Sequence, residues 1–194
     1  FCCSNVEGDL KMSVSASVGG SSPGGPVVSF DDAVPLDLTH EQYFETAQEL
    51  GSKVVTEDGM STPENFEHVS DLYGKAYEAR LKELGLPTSG QMSASDQEIA
   101  DTDPMLNLYQ AKMEWADKWT NRADAYGMLS PSETFVASRD DISLENRFWM
   151  DYSSDPTLDA ASREKALIKA EEFGQKLATV QERFTEIMRT ISNG

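Results

Sequence analysis

The sequence predicts an all-α protein: a small helical bundle with an extended N-terminal arm and a long C-terminal helix. Three observations point there. Helix-start signals (Ser, Thr or Asp followed by Pro or by a Glu/Gln three residues on) recur along the chain, as at Thr39, Thr62, Asp103 and Ser130. Apolar residues between them step by three and four, the spacing that gathers side chains on one helical face. No stretch shows sustained strand alternation; the run Val27–Phe30 is the sole candidate.

Residues 1–36 read as an arm rich in Gly, Ser, Val and Pro, centred on Gly19-Gly20-Ser21-Ser22-Pro23-Gly24-Gly25-Pro26. Such a composition cannot bury enough apolar surface to fold alone, so it calls for a partner to pin it. Val27, Val28 and Phe30 are its expected anchors. Residues 37–154 read as an acidic helical domain. Thr39-His40-Glu41-Gln42 is a capping box, opening a helix with Tyr43, Ala47, Leu50 and Val54 inward. Thr62-Pro63 opens a second, lined by Phe66, Val69, Tyr73, Ala76 and Leu84 and closed by Gly85-Leu86-Pro87. Ser95-Asp96-Gln97-Glu98 caps a short helix, and Asp103-Pro104 starts a long one carrying Tyr109, Met113, Ala116, Trp119, Ala123 and Tyr126. Ser130-Pro131-Ser132-Glu133 opens a short segment, and a separate short helix is expected around Leu144, Phe148, Trp149 and Tyr152.

Residues 155–194 form the last element, opened by Asp155-Pro156 and running to about Ser192. From Ala170 the apolar positions alternate strictly by three and four through Phe173, Leu177, Val180, Phe184, Ile187 and Ile191. That is a heptad seam of the kind that wraps against other helices. Phe173 and Phe184 are large for a narrow two-helix zipper and favour a bundle or a groove. A helix from Pro156 to Ser192 would run about 55 Å at 1.5 Å per residue. A compact chain of this size spans only roughly 40 Å, so part of the helix is expected to overhang and dock on a partner.

Charge narrows the partners. The net charge is −18, with 34 acidic and 16 basic residues. Nucleic acid binding needs a net positive face, and an anionic membrane surface does too, so both are poor partners. The charge is uneven: residues 30–103 hold 17 acidic and 4 basic side chains, whereas residues 155–194 hold 7 and 6. The near-neutral end is therefore the part suited to close packing. No apolar run reaches the roughly 18 residues that cross a bilayer.

Signatures of chemistry fail on spacing. The chain has two histidines, and neither Glu64 nor Glu67 stands three residues before His68, as a di-iron Glu-x-x-His pair requires. His40, in the first turn of its helix, reads as a surface residue. Cys2 and Cys3 are adjacent, which disulfide geometry disfavours, and no spaced metal ligands accompany them. The glycine-rich run lacks the Gly-Lys-Ser/Thr ending of a phosphate loop, and no serine sits in a Gly-x-Ser-x-Gly elbow. The expectation is a protein that is not an enzyme, with no cofactor and no metal.

What remains is a linker or scaffold subunit that bridges protein subunits of a larger complex. Its expected contact residues are Val27, Val28, Phe30, Trp149, Phe173, Leu177, Val180, Phe184, Ile187 and Ile191. The start at Phe1 without a methionine suggests a removed leader or a start inside a longer product. With the Gly/Ser/Pro arm, the acidity and the long helices, the chain resembles in general organisation the nuclear-encoded, pigment-free linker subunits of algal photosystem–antenna assemblies of the red plastid lineage. In that lineage a Phe at the leader cleavage site is usual. The resemblance implies a plastid location peripheral to the thylakoid and contacts with membrane-embedded antenna proteins. A free-standing helical-bundle accessory factor is the alternative, and an enzyme using carboxylates of the acidic half a more distant one.

Overall fold

A computed structural model describes residues 38–192, which form six helices and no strand: α1 (His40–Thr56), α2 (Pro63–Glu83), α3 (Ala94–Thr102), α4 (Pro104–Asp124), α5 (Pro131–Ser153) and α6 (Ala160–Ser192). The protein is all-α. Its arm anchors Val27, Val28 and Phe30 lie outside the described residues.

Start signals act where the sequence placed most of them. Thr39 and Gln42 close a reciprocal capping box on α1, and Thr62 caps α2 with Pro63 in the first turn. Asp103 accepts from the Leu106 N–H to cap α4. Three boundaries differ from expectation. The cap of α3 is Ser93, whose hydroxyl accepts from the Asp96 N–H, rather than Ser95. The two short segments expected between residues 130 and 152 are one helix of 23 residues, because nothing between the Ser130/Glu133 capping box and Ser153 breaks it. The last helix starts at Ala160, not near Pro156. The Asp155 carboxylate accepts from the Thr157 N–H and hydroxyl to make a turn, and Asp159 then accepts from the Ser162 N–H at the true start.

Helices α1, α2, α4 and α5 form an up-down-up-down four-helix bundle in which α2 packs broadly on both α1 and α4. Its core gathers Phe44, Ala47, Leu50 and Val54 of α1 with Phe66, Val69, Tyr73 and Ala76 of α2. Leu108, Tyr109, Trp115, Ala116 and Trp119 of α4 complete it. Phe44 lies against both Tyr73 and Tyr109, and Phe66 meets Trp115 edge-on. A second, smaller cluster of Leu81, Leu86, Ala100 and Leu106 seats α3 under the ends of α2 and α4. Tyr126, expected on the inner face of α4, is 73% exposed instead, lying past the helix end beneath the Arg122 guanidinium.

α6 packs antiparallel along α5 and barely touches the other helices. Ala166, Ala170 and Phe173 are buried there. Asn146 of α5 donates to the Ala170 carbonyl, and a Cβ on Gly174 would stand 3.3 Å from the Asn146 amide nitrogen. The contact is tight at that level, and a Cβ there would push the Asn146 amide aside. Phe135, near the start of α5, stacks on Phe184 with ring centroids 4.6 Å apart. From that pairing, α6 outruns α5 by about one turn. The overhang is smaller than the sequence suggests, because α5 is a single helix about 35 Å long that supports most of the roughly 50 Å of α6.

Gly51 sits in the buried middle of α1, where a Cβ would meet Val69 Cγ1 at an ordinary 3.6 Å. Gly51→Ala should therefore raise the unfolding free energy by about 0.5–1 kcal/mol, the helix-propensity gain with no clash to offset it. Urea or thermal denaturation measures this, and a loss of stability would show that α1 and α2 pack closer than described.

Candidate functional site

The most unusual chemistry lies inside the bundle. Leu108, Lys112, Trp115 and Trp119 recur at helical spacing, so Lys112 falls on the same face of α4 as the core aromatics. It is fully buried. Across from it, α5 turns Ser138, Asp141 and Glu145 inward at the same kind of spacing.

The Lys112 ammonium donates to Asp141 Oδ1 at 2.5 Å and pairs with Glu145 Oε1 at 2.6 Å. Its nitrogen also stands 5.4 Å from the ring centre of Tyr73 and 5.8 Å from that of Trp115. An ammonium enclosed by two carboxylates and two aromatic faces has its charge answered on every side. Glu145 is equally well held. It accepts from Gln48 Nε2 at both oxygens, at 2.6 and 2.7 Å, and from the Trp149 indole at 3.4 Å. One cluster thereby joins α1, α2, α4 and α5.

Electrostatics follow from the count of two carboxylates to one cation. Burial opposes the charge on Lys112, but the Asp141 and Glu145 carboxylates outweigh it and hold the ammonium well above its usual range. Burial pushes the Asp141 carboxyl up, against the pull of Lys112, and the Glu145 charge adds to the rise. Burial likewise pushes the Tyr73 phenol well above the ordinary value, so it remains neutral.

Asp141 and Glu145 form part of the floor of a cleft of about 690 Å³ between α1, α5 and α6. Gln48 and Ser52 line one wall, Lys169 and Lys176 the other. Both carboxylates are committed to Lys112, so the floor offers a charged, hydrogen-bonded surface rather than a free acid–base pair. Among the described residues no group of three or more His, Cys, Asp or Glu could hold a metal ion.

His40 is a correction. It is only 8% exposed, not a surface residue, because the start of α1 tucks against α2 and α4. Its Nδ1 shares a 2.7 Å hydrogen bond with the Tyr109 hydroxyl, and Nε2 meets Glu83 at 2.9 Å. Arg80 continues the chain, holding Glu83 and, with two nitrogens, the Asp103 carboxylate. These bonds tie α1, α2 and the start of α4 together.

The expected contact residues separate into groups. Phe173 is buried and, with the half-buried Val180, lines the cleft; Leu177 is half-buried too. Phe184 is 39% exposed despite its stacking. Trp149 is half-buried, edge-on to Phe148 and Tyr152 and donating to Glu145. The side chains of Ile187 and Ile191 lie outside the described residues. The structure adds Leu167, Ile168 and Met188 as exposed apolar positions of α6. Sequence reasoning passed over Lys112 and Glu145 because it looked for apolar residues at seam positions. The 108–112–115–119 spacing was the available signal.

Lys112→Met should cost about 3–5 kcal/mol in chemical denaturation, since two carboxylates lose their buried cation. Asp141→Asn should change the response to acid. The folded pKa of Asp141 lies above its unfolded value near 3.9. The wild type should therefore gain stability relative to this variant as pH falls from 7 through the raised pKa. A stability difference that stays flat across that window would show that Asp141 is not buried beside Glu145.

Compared with protein families, curated proteins and solved structures, the chain matches none, so the site stands on its own geometry.

Proposed function

We propose that the protein is a non-enzymatic linker or scaffold subunit that bridges neighbouring proteins, with α6 as its docking element. The observation that carries this reading is the exposure of α6. Leu167, Ile168, Phe184 and Met188 are 46, 60, 39 and 46% exposed on one helix whose substantial support among the described residues is α5. Residues 155–194 are also nearly charge-neutral in a chain of net charge −18. Exposed apolar residues on the least charged part of an acidic protein suit a protein partner, because little electrostatic repulsion or desolvation opposes their burial. No described helix is long and apolar enough to cross a membrane.

The finer assignment, a linker of a red-lineage photosystem–antenna complex peripheral to the thylakoid, rests on the general organisation of the sequence. A free-standing accessory factor is the second reading, supported by a bundle that closes its own core.

The test is density-gradient co-migration of the full chain with solubilised photosystem–antenna particles, repeated with Leu167→Glu and Ile168→Glu combined. Both positions are exposed, so circular dichroism and melting should change little. Bound fraction should fall at least tenfold. Equal co-migration of the variant would remove α6 as the docking element. Failure of the wild type to co-migrate would remove the photosystem assignment.

A further inference from the structure

We infer that the α5–α6 hairpin is a hinged arm, latched by Lys112, that opens from the α1–α2–α4 bundle as one unit. The inference stands whether or not α6 docks on a partner.

The first ground is the unequal chemistry of the two faces of α5. Toward the bundle its fully buried residues are Ala137, Ser138 and Glu145, one small apolar side chain and two polar ones, flanked by Val136, Leu144 and Phe148, which pack half-buried against the core. α4 by contrast buries Leu106, Leu108, Tyr109, Trp115 and Trp119, most of them against α1 and α2. Toward α6 the contact is apolar, with Ala166, Ala170 and Phe173 buried and Phe135 stacked on Phe184. Apolar burial makes α5 and α6 cohere, whereas the attachment of the pair to the bundle joins a half-buried apolar strip and the Trp115 indole bond to the Ala137 carbonyl with a buried charge cluster.

The charged part of that attachment is a ladder of bases on α4 and acids on α5. Arg122 meets Glu133 at 2.5 Å, Lys118 meets Asp140 at 3.1 Å, and Lys112 meets Asp141 and Glu145. Arg122 and Lys118 are more than half exposed, and pairs of that kind contribute little. Lys112 is the buried rung, and Gln48 fastens the same Glu145 to α1.

Space is the second ground. Grooves flank α5 on both sides: the 690 Å³ cleft toward α1 and α6, and clefts of about 620 and 520 Å³ along α4. α5 is therefore seated on the bundle along a narrow strip. The third ground is the joint. The α4–α5 turn carries Gly127 at φ +76°, while Leu129 stays buried with its N–H on the Ser61 carbonyl. The turn is fixed at the bundle end, so α5 pivots about Ser130 and Pro131. Separation of the arm uncovers the faces of Trp115 and Leu108 and breaks the Lys112 cage in one event.

Amide hydrogen exchange of the full chain, resolved by peptide, tests this. Amides of α5 and α6 should share one opening and exchange at least tenfold faster than those of α2 and α4. Lys112→Met should accelerate α5 and α6 at least thirtyfold while α2 and α4 change far less. If Lys112→Met does not fold, Gln48→Ala loosens the same Glu145 latch and should accelerate the same peptides selectively. Equal protection of all helices in the wild type would overturn the arm. Uniform acceleration by the folded variant would overturn the latch.

Discussion

The bundle depends on a lysine that exposes none of its surface to water. Lys112 sits where a leucine would satisfy the helical pattern of α4, and every element around it has adapted. α5 supplies two carboxylates, α2 and α4 supply aromatic faces, and α1 supplies the Gln48 amide that completes Glu145. Desolvating an ion costs several kcal/mol, so such a cage is weak as a source of net stability. Its strength is discrimination. Any arrangement that leaves Lys112 without Asp141 and Glu145 carries the full cost of a bare buried charge.

That asymmetry decides which helix closes the bundle. α1, α2 and α4 cohere through interlocking aromatics, and most well-sized apolar helices could cover the face they leave. Only α5 presents acids at 141 and 145 in step with Lys112. The wrong helix, or the right one out of step, meets an unanswered ammonium. At the other end, the His40–Tyr109 and Arg80–Asp103 bonds fix α1 and α4 around α2, independently of α5.

Much of this fold was legible in the sequence, and the reasons are local. Thr39, Thr62, Asp103 and Ser130 announce helix starts because capping is a short-range interaction. The fused α5 was missed because two apolar clusters with charges between them read as two elements, although no residue there breaks a helix. The expected start near Pro156 took Asp155 as the opening cap, whereas its side chain stabilises a turn before Asp159 caps α6. His40 and Lys112 were the harder cases. Burial of a polar residue is set by partners 69 and 29 or more positions away, and no window of the sequence contains them. The seam of α6 was visible as periodicity. Its occupant, α5, follows from the antiparallel hairpin and not from the seam itself.

A heptad seam is nearly indifferent to sliding: shifted by seven residues, apolar positions still meet apolar positions. The contact at Asn146 removes that freedom. Its amide needs both the Ala170 carbonyl and the missing Cβ of Gly174, and α6 contains no other glycine. Moved one heptad either way, the same amide would face the Cβ of Leu167 or Gln181 where it now meets the bare Gly174. One Asn–Gly level therefore gives a repetitive rod a single address on α5, and so sets how far its end projects from the body of the protein.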